Sequence, residues 1–180
     1  KELATTIDMR QARKSADVSA GVAPYPESPD TTHFSVIDAD GNVVATTTTL
    51  NFSFGSAISV TGAGFLLNNE MDDFVSKPGV PNAYGLLGGE ANAIAAGKRP
   101  LSSMTPTIVF ADGQPWFATG SPGGSRIITS VLQMIVNVID HGMNLAEAVN
   151  APRMHHQWVP DVLQLESGFS PDTVEILRAR

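Results

Sequence analysis

The stretch "TTHFSVID", residues 31–38, decides how this chain is read. Two threonines open it, between the proline-rich segment "APYPESPD" (23–30) and an alternating run with the pattern of a β-strand. Threonine fits a pleated surface well, so Thr31 and Thr32 can be ordinary strand residues. Alternatively, one of them is a hydroxyl nucleophile set at the start of a strand. The residues around them have to separate these readings.

Working outward, "FSVID" and "VVATTTTL" (43–50) flank "ADGN" (39–42), which predicts a β-hairpin turning at Asp40-Gly41. A second hairpin on the same plan is predicted from "SMTPTIVF" (103–110), "ADGQ" (111–114) and "PWFATG" (115–120). Between them, residues 51–100 are glycine-rich and show no clear period. So long a stretch in a compact domain is either functional or hides elements of its own. In "SRIITSVLQMIVNVIDHG" (125–142), Ile127, Ile128, Val131, Leu132, Ile135 and Ile139 recur at helical spacing, and Gly142 supplies a stop. That face is nearly all apolar and predicts a helix buried against a sheet. Asn144 and Glu147 form a capping pair for "LAEAVNA" (145–151), which Pro152 ends. "VLQLES" (162–167) reads as a strand, and Ser170-Pro171 opens a last helix. Residues 1–16 carry a weak helical pattern, and 15–30 read as an extended linker. Hairpins followed by helices predict an α+β layer structure, with antiparallel sheet covered by helices. The pattern runs out inside a helix at Arg180, as expected of a piece of something larger.

Composition narrows the function classes. A chain of 180 residues with 42% hydrophobic and 16% charged residues supports one packed core and argues against disorder over most of its length. A net charge of −7 disfavours nucleic acid or an anionic membrane as the main partner. With no cysteine there is no disulfide and no thiolate metal site. No apolar run is long enough to span a membrane, and "KELATTIDMRQARK" at the start is not a signal peptide.

Certain stretches hold more polar and glycine residues than a core needs. "NNEMDDF" (68–74) concentrates Asn68, Asn69, Glu70, Asp72 and Asp73. It reads as a solvated acidic loop or as a cation site. Its spacing lacks the alternating ligands and mid-loop glycine of a calcium-binding EF-hand, so an ammonium group suits it better than a hard metal. "PLSSM" (100–104) brings Ser102 and Ser103 to a turn before a strand. "TGSPGGSR" (119–126) joins a strand to the apolar helix. It is either a tight connection or a cradle of backbone N–H groups for a carboxylate, a phosphate or a developing oxyanion. His155 and His156 are adjacent on a strand, face opposite sides and read as structural. His33 is a base by residue type, but at that place in a strand a packed histidine is the commoner case.

Taken together, "TTHFSVID", "TLNFSFGS", "LLNNEMDDF", "GVPNAYGL", "KRPLSSMTPTIV", "TGSPGGSRI" and "NAPRMHHQW" resemble the γ-glutamyltransferase (γ-glutamyl transpeptidase) family, in family order. The resemblance covers nearly everything from Thr31 onward. It implies an N-terminal nucleophile hydrolase with an αββα sandwich, made as a precursor that cuts itself between Asp30 and Thr31. Residues 1–30 would be the tail of a large subunit and 31–180 a catalytic small subunit, incomplete at its C-terminal end. Thr31 would be the nucleophile. A threonine hydroxyl needs a nearby base, and the α-amine freed by cleavage, with a pKa of about 8, can act as one. By the same resemblance Thr49 orients the Thr31 hydroxyl, and Asn51, Glu70 and Asp73 hold the substrate's α-ammonium. Ser102 and Ser103 hold its α-carboxylate, backbone N–H groups of Gly123 and Gly124 form the oxyanion hole, and Tyr84 lies on a lid loop. Some family members carry glutamine at the Glu70 position, so this sequence adds negative charge there.

The resemblance further implies glutathione or related γ-glutamyl amides as substrates, with amino acids, peptides or water as acceptors. No cofactor or metal is expected, and the location would be periplasmic or secreted. The arginine that clamps the α-carboxylate in the family belongs to the large subunit and has no counterpart here; Arg99 and Arg126 do not replace it. The chain alone is therefore expected to be inactive. The rival enzyme is a related amidase such as a cephalosporin (glutaryl) acylase, against which Asn51, Glu70 and Asp73 argue, since a glutaryl group has no ammonium. The rival from another class is a non-catalytic binding module for amino acids or small anions.

Overall fold

A computed structural model describes residues 31–82, 86–157 and 161–178. The helix and linker expected over 1–30, together with Asp30, Tyr84 and Trp158, lie outside these residues.

Strand β1 (Thr31–Ile37) pairs antiparallel with β2 (Val43–Thr49), in a register that sets Thr31 opposite Thr49 and His33 opposite Thr47. The turn is built by Asp38. Its carboxylate accepts from the N–H groups of Asp40 (3.0 Å) and Asn42 (2.8 Å) and from Asn42 Nδ2 (2.7 Å), while Gly41 takes a φ of +83°. These donors, the Asn42 side chain first, hold the Asp38 carboxyl below its usual range. The second hairpin joins β3 (Thr107–Ala111) to β4 (Gln114–Thr119) through Asp112 and Gly113, both left-handed at φ +51° and +75°. That is the turn whose twist matches paired strands. Pro115 has no N–H for the ladder, and the register shifts between Val109 and Phe110, which faces it.

The two hairpins lie side by side without sharing a ladder: β1 and β2 pair only with each other, as do β3 and β4. The antiparallel pairing expected from the sequence is present, among the described residues, as separate two-stranded ladders. What lets the hairpins approach is Gly120, just after β4. A Cβ there would collide with the imidazole of His33. The ring is fixed by Nδ1 to Thr47 Oγ1 (2.8 Å) and Nε2 to Ser35 Oγ (3.1 Å), and burial pushes its pKa down. Gly120→Ala is expected to destabilise the fold by about 1–3 kcal/mol through overpacking. Urea unfolding of Gly120→Ala, His33→Ala and the double variant checks this: the double variant should lose less than the sum.

Helix α1 (Arg126–Ile139) buries Ile127, Val131, Met134 and Val138 in one stripe. That stripe meets β4, where Thr119 Oγ1 donates to Met134 Sδ at 3.8 Å, and Val138 packs with Phe117 and Ala148. Ile128, Leu132 and Ile139, expected to be buried, are 50%, 56% and 50% exposed. The apolar positions span two faces of the helix, and only one of them meets the hairpin and the next helix. Gly142 ends α1 at φ +66°. Helix α2 (Leu145–Asn150) starts on a reciprocal cap, Glu147 N to Asn144 Oδ1 and Asn144 N to Glu147 Oε2, both 3.0 Å. "VLQLES" contributes only Gln164–Leu165 (β6), paired with Met154–His155 (β5). Helix α3 (Pro171–Arg178) is capped by Ser170 Oγ, which accepts from Thr173 N at 3.2 Å.

Candidate active site

The long segment between the hairpins is not structureless. It forms 3₁₀ turns at Glu70–Asp73 and Glu90–Asn92 and isolated bridges at Ser59–Leu66 and Val75–Ala93. This segment walls a cavity whose lining includes Thr31, Thr49, Asn51, Glu70, Asp73, Ser102, Ser103 and Gly124. The sequence separates these residues widely, and the fold brings them to one place. Gly123 adjoins the cavity through Gly124. Arg126, on α1, lines a separate depression with Arg153, His155 and Glu166, and no arginine lines the cavity among the described residues.

The hairpin register does the first part of the work. Thr31 begins β1 and Thr49 ends β2, and Thr31 Oγ1 donates to Thr49 Oγ1 at 3.3 Å. Thr49 Oγ1 also accepts from the N–H of Asn51 at 2.9 Å, so the hydroxyl is held from its far side. Asn51 turns the chain out of β2 with a φ of +72°, a conformation asparagine tolerates better than most residues. Its side chain is buried and donates to Asn69 O at 3.2 Å.

Asn69 fastens the acidic turn to this corner. Its N–H donates to Leu50 O at 3.1 Å, and its Oδ1 accepts from Phe52 N at 3.0 Å. Asn68 Oδ1 accepts from Glu70 N at 3.0 Å. The carboxyls of Glu70 and Asp73 hydrogen-bond each other. Burial, then that hydrogen bond, then the Asp73 charge push Glu70 from its ordinary 4.5 up to about 7. Asp73 is also raised, by burial and by the charge of Asp72, against the opposing effect of the Glu70 hydrogen bond. Asp72 Oδ2 is buried and has no hydrogen-bond partner among the described residues. Two neighbouring, half-buried carboxyls with raised pKa values would both ionise more readily beside a cation.

Opposite lies the glycine turn. Gly123 and Gly124 take φ of +131° and +58°, and their carbonyls accept from Arg126 N and Ile127 N at 3.1 Å each, starting α1. Their own N–H groups donate to no described residue. The turn is tethered by Ser125 Oγ to Gln157 Oε1 (2.7 Å), and Gln157 meets His155 Nε2 (2.9 Å), whose Nδ1 meets Thr129 Oγ1 (2.8 Å). His155 is therefore a buried brace and His156 a surface partner of Asp161, as the structural reading expected. Ser102 Oγ accepts from Met104 N at 3.1 Å, which shapes the serine turn at the cavity edge. His33 is absent from the cavity lining. Asn92 was not picked out from the sequence, and Asn69 only as a member of the acidic stretch, because amide-to-backbone bonds leave no spacing signature.

The α+β fold, with a strand opening on a hydroxyl that faces a cavity, is that of the N-terminal nucleophile hydrolases. Comparison with known proteins narrows the class. A family model described as γ-glutamyltranspeptidase matches residues 1–180, and the chain belongs to that family. It is 61% identical over 181 residues to the glutathione hydrolase proenzyme of Escherichia coli (strain K12), covering 100% of this chain and 31% of that protein. A crystal structure of a Helicobacter pylori γ-glutamyltranspeptidase mutant superposes with a TM-score of 0.80 at 60% identity, covering 82% of this chain and 80% of that one. The acylase ACY 1 proenzyme of Pseudomonas sp. (strain SE83) is 43% identical over 176 residues, covering 97% of this chain and 28% of that protein. The chain thus spans less than a third of the length of these two curated relatives.

Proposed function

We propose that this chain carries the nucleophile and most of the substrate pocket of a γ-glutamyl acyl-transfer enzyme acting on glutathione or related γ-glutamyl amides. The observation that carries the reading is the single cavity in which Thr31, Thr49, the Asn51–Glu70–Asp73 cluster, the two serines and Gly124 meet. Residues 1–30 precede the cleavage point and 31–180 form the catalytic part. In the precursor, Thr31 Oγ attacks the carbonyl carbon of Asp30, the C–N bond breaks, and the proton passes to the leaving amine. Water then hydrolyses the resulting ester, leaving an Asp30 carboxylate and a free Thr31 amine.

That amine, with a pKa of about 7.7–8.0, takes the hydroxyl proton when Thr31 attacks the γ-amide of a substrate. Thr49 holds the hydroxyl in line. The tetrahedral oxyanion forms against the N–H groups of Gly123 and Gly124, preset at the start of α1. The amine product leaves, and water, an amino acid or a peptide accepts the γ-glutamyl group. Asn51, Glu70 and Asp73 take the α-ammonium, Ser102 and Ser103 the α-carboxylate, and Tyr84 closes over the pocket. An arginine from outside this chain, supplied by the remainder of a large subunit, completes the carboxylate site. A periplasmic or secreted location belongs to the same reading and rests on the likeness to the γ-glutamyltranspeptidase family.

The similarity to an acylase gives a second reading, a glutaryl amidase. The two readings differ at one group, the ammonium that γ-glutamyl has and glutaryl lacks. The carboxyl pair supports the first, because an anion-only substrate would leave it without a cation. Comparing γ-glutamyl and glutaryl p-nitroanilides on the full-length protein decides: preference for glutaryl overturns the proposal.

The pair also sets a pH dependence. Glu70 in the free protein titrates at about 7, so protonation below that removes charge from the ammonium site. Below about 7 the kcat/KM for γ-glutamyl anilide is expected to fall roughly a hundredfold per pH unit, tenfold from Glu70 and tenfold from the Thr31 amine, and Glu70→Gln to remove the Glu70 factor, leaving the tenfold limb set by the amine. The sign for stability is opposite. A carboxyl raised in the folded state favours folding when protonated, and this contribution is lost as pH rises from 4.5 through about 7. Glu70→Gln is therefore expected to raise Tm above neutral pH and to leave it unchanged in acid.

A further inference from the structure

We infer that Asn92 is a positioning residue that fixes the separation between the two halves of the head-group site. The inference rests on the γ-glutamyl reading and concerns how that site selects an α-amino acid. Asn92 ends the 3₁₀ turn Glu90–Asn92 and lines the cavity. Its side-chain amide is used at both ends. Nδ2 donates to Asp73 O at 2.7 Å, and Oδ1 accepts from Leu101 N at 3.1 Å. Its backbone carbonyl accepts from Val75 N at 2.9 Å, which locks it beside the acidic turn.

These contacts fall on two segments with different tasks. Asp73 belongs to the ammonium cluster, and Leu101 immediately precedes Ser102 and Ser103. Among the described residues no hydrogen bond joins Glu70–Asp73 directly to Leu101–Met104. The Asn92 amide is the bridge, a rigid planar group bonded to main chain on either side. An α-amino acid presents ammonium and carboxylate on one carbon, at a fixed spacing. A pocket that recognises both must hold its two segments at the matching distance before the substrate arrives, since ordering them afterwards weakens binding. A ligand with only one of the two groups makes no such demand.

The test uses the full-length, self-cleaved protein with Asn92→Ala and Asn92→Gln. Substrate is γ-glutamyl p-nitroanilide. The competitive inhibitors are glutaryl anilide, with the carboxylate alone, and 4-aminobutanoyl anilide, with the ammonium alone. For Asn92→Ala the KM for the two-headed substrate is expected to rise on the order of 10- to 100-fold, with kcat within about threefold. The Ki values of both single-headed anilides should stay within about twofold of wild type. Asn92→Gln keeps both amide groups but displaces them by a methylene, and should show the same split at smaller amplitude; it also serves if Asn92→Ala does not fold. A general loosening of the pocket would instead raise KM and both Ki values together and lower kcat, which overturns the inference. KM unchanged in both variants overturns it too. Wild-type protein that ignores γ-glutamyl anilide sinks the functional reading and this inference with it. Wild-type turnover alongside unperturbed variants sinks the inference alone.

Discussion

Thr31→Ala protein is expected to stay joined at the Asp30–Thr31 bond and to lose γ-glutamyl anilide turnover by a factor on the order of 10³–10⁶. Both effects follow from one atom. In the proposed mechanism the hydroxyl that attacks substrate also attacks the preceding carbonyl, so removing it stops maturation and catalysis together. The glycine turn and the head-group cluster remain, and they account for any residue of rate above background. Thr31→Ser is the necessary companion. It keeps the hydroxyl but loses the β-methyl that stiffens χ1, so it should cleave and turn over more slowly while doing both. Intact mass and N-terminal sequencing of the two variants, beside anilide kinetics, give the result directly. Cleavage before residue 31 in the alanine variant would remove Thr31 from its role. Cleavage in wild type without turnover would separate maturation from the proposed substrate.

Much of this arrangement was legible in the sequence because short-range rules govern it. Asp40-Gly41 and Asp112-Gly113 announce their hairpins, since few residue pairs accept the left-handed dihedrals such turns require. The hairpin then converts a sequence fact, threonine at 31 and at 49, into a spatial one through register alone. The reciprocal Asn144–Glu147 cap follows a spacing rule and formed as expected. What the sequence hid was set at longer range. Apolar spacing along α1 predicted burial for Ile128 and Leu132, but periodicity reports that a face is apolar and not whether something packs on it. The segment 51–100 has no period because it is organised by polar side chains tying down main chain: Asn51, Asn69 and Asn92 each bond backbone groups distant in sequence. Gly120 looked like the end of a strand, whereas its lack of a Cβ is what admits the His33 ring.

Replacing Asp73 separates substrate recognition from the nucleophile. In Asp73→Ala the ammonium of a γ-glutamyl substrate is expected to lose its half-buried charged partner, which costs about 3–4 kcal/mol and lowers kcat/KM by about 10²–10³. The loss should fall mainly on KM, because the ammonium is bound alike before and during the attack on the distant γ-carbon. Self-cleavage should persist, since Asp73 lines the head-group end of the cavity and the precursor bond presents no ammonium to it. The pH profile gives a second, independent readout. With the Asp73 charge and hydrogen bond gone, burial alone raises Glu70, so its titration moves down from about 7 and the acid limb of kcat/KM moves with it. Unfolding should not worsen, because one of two repelling carboxyls has been removed. A variant that fails to cleave itself would make Asp73 part of the maturation machinery. A variant with unchanged KM would place the α-ammonium elsewhere, and the acidic turn would then be a solvated loop that happens to border the cavity.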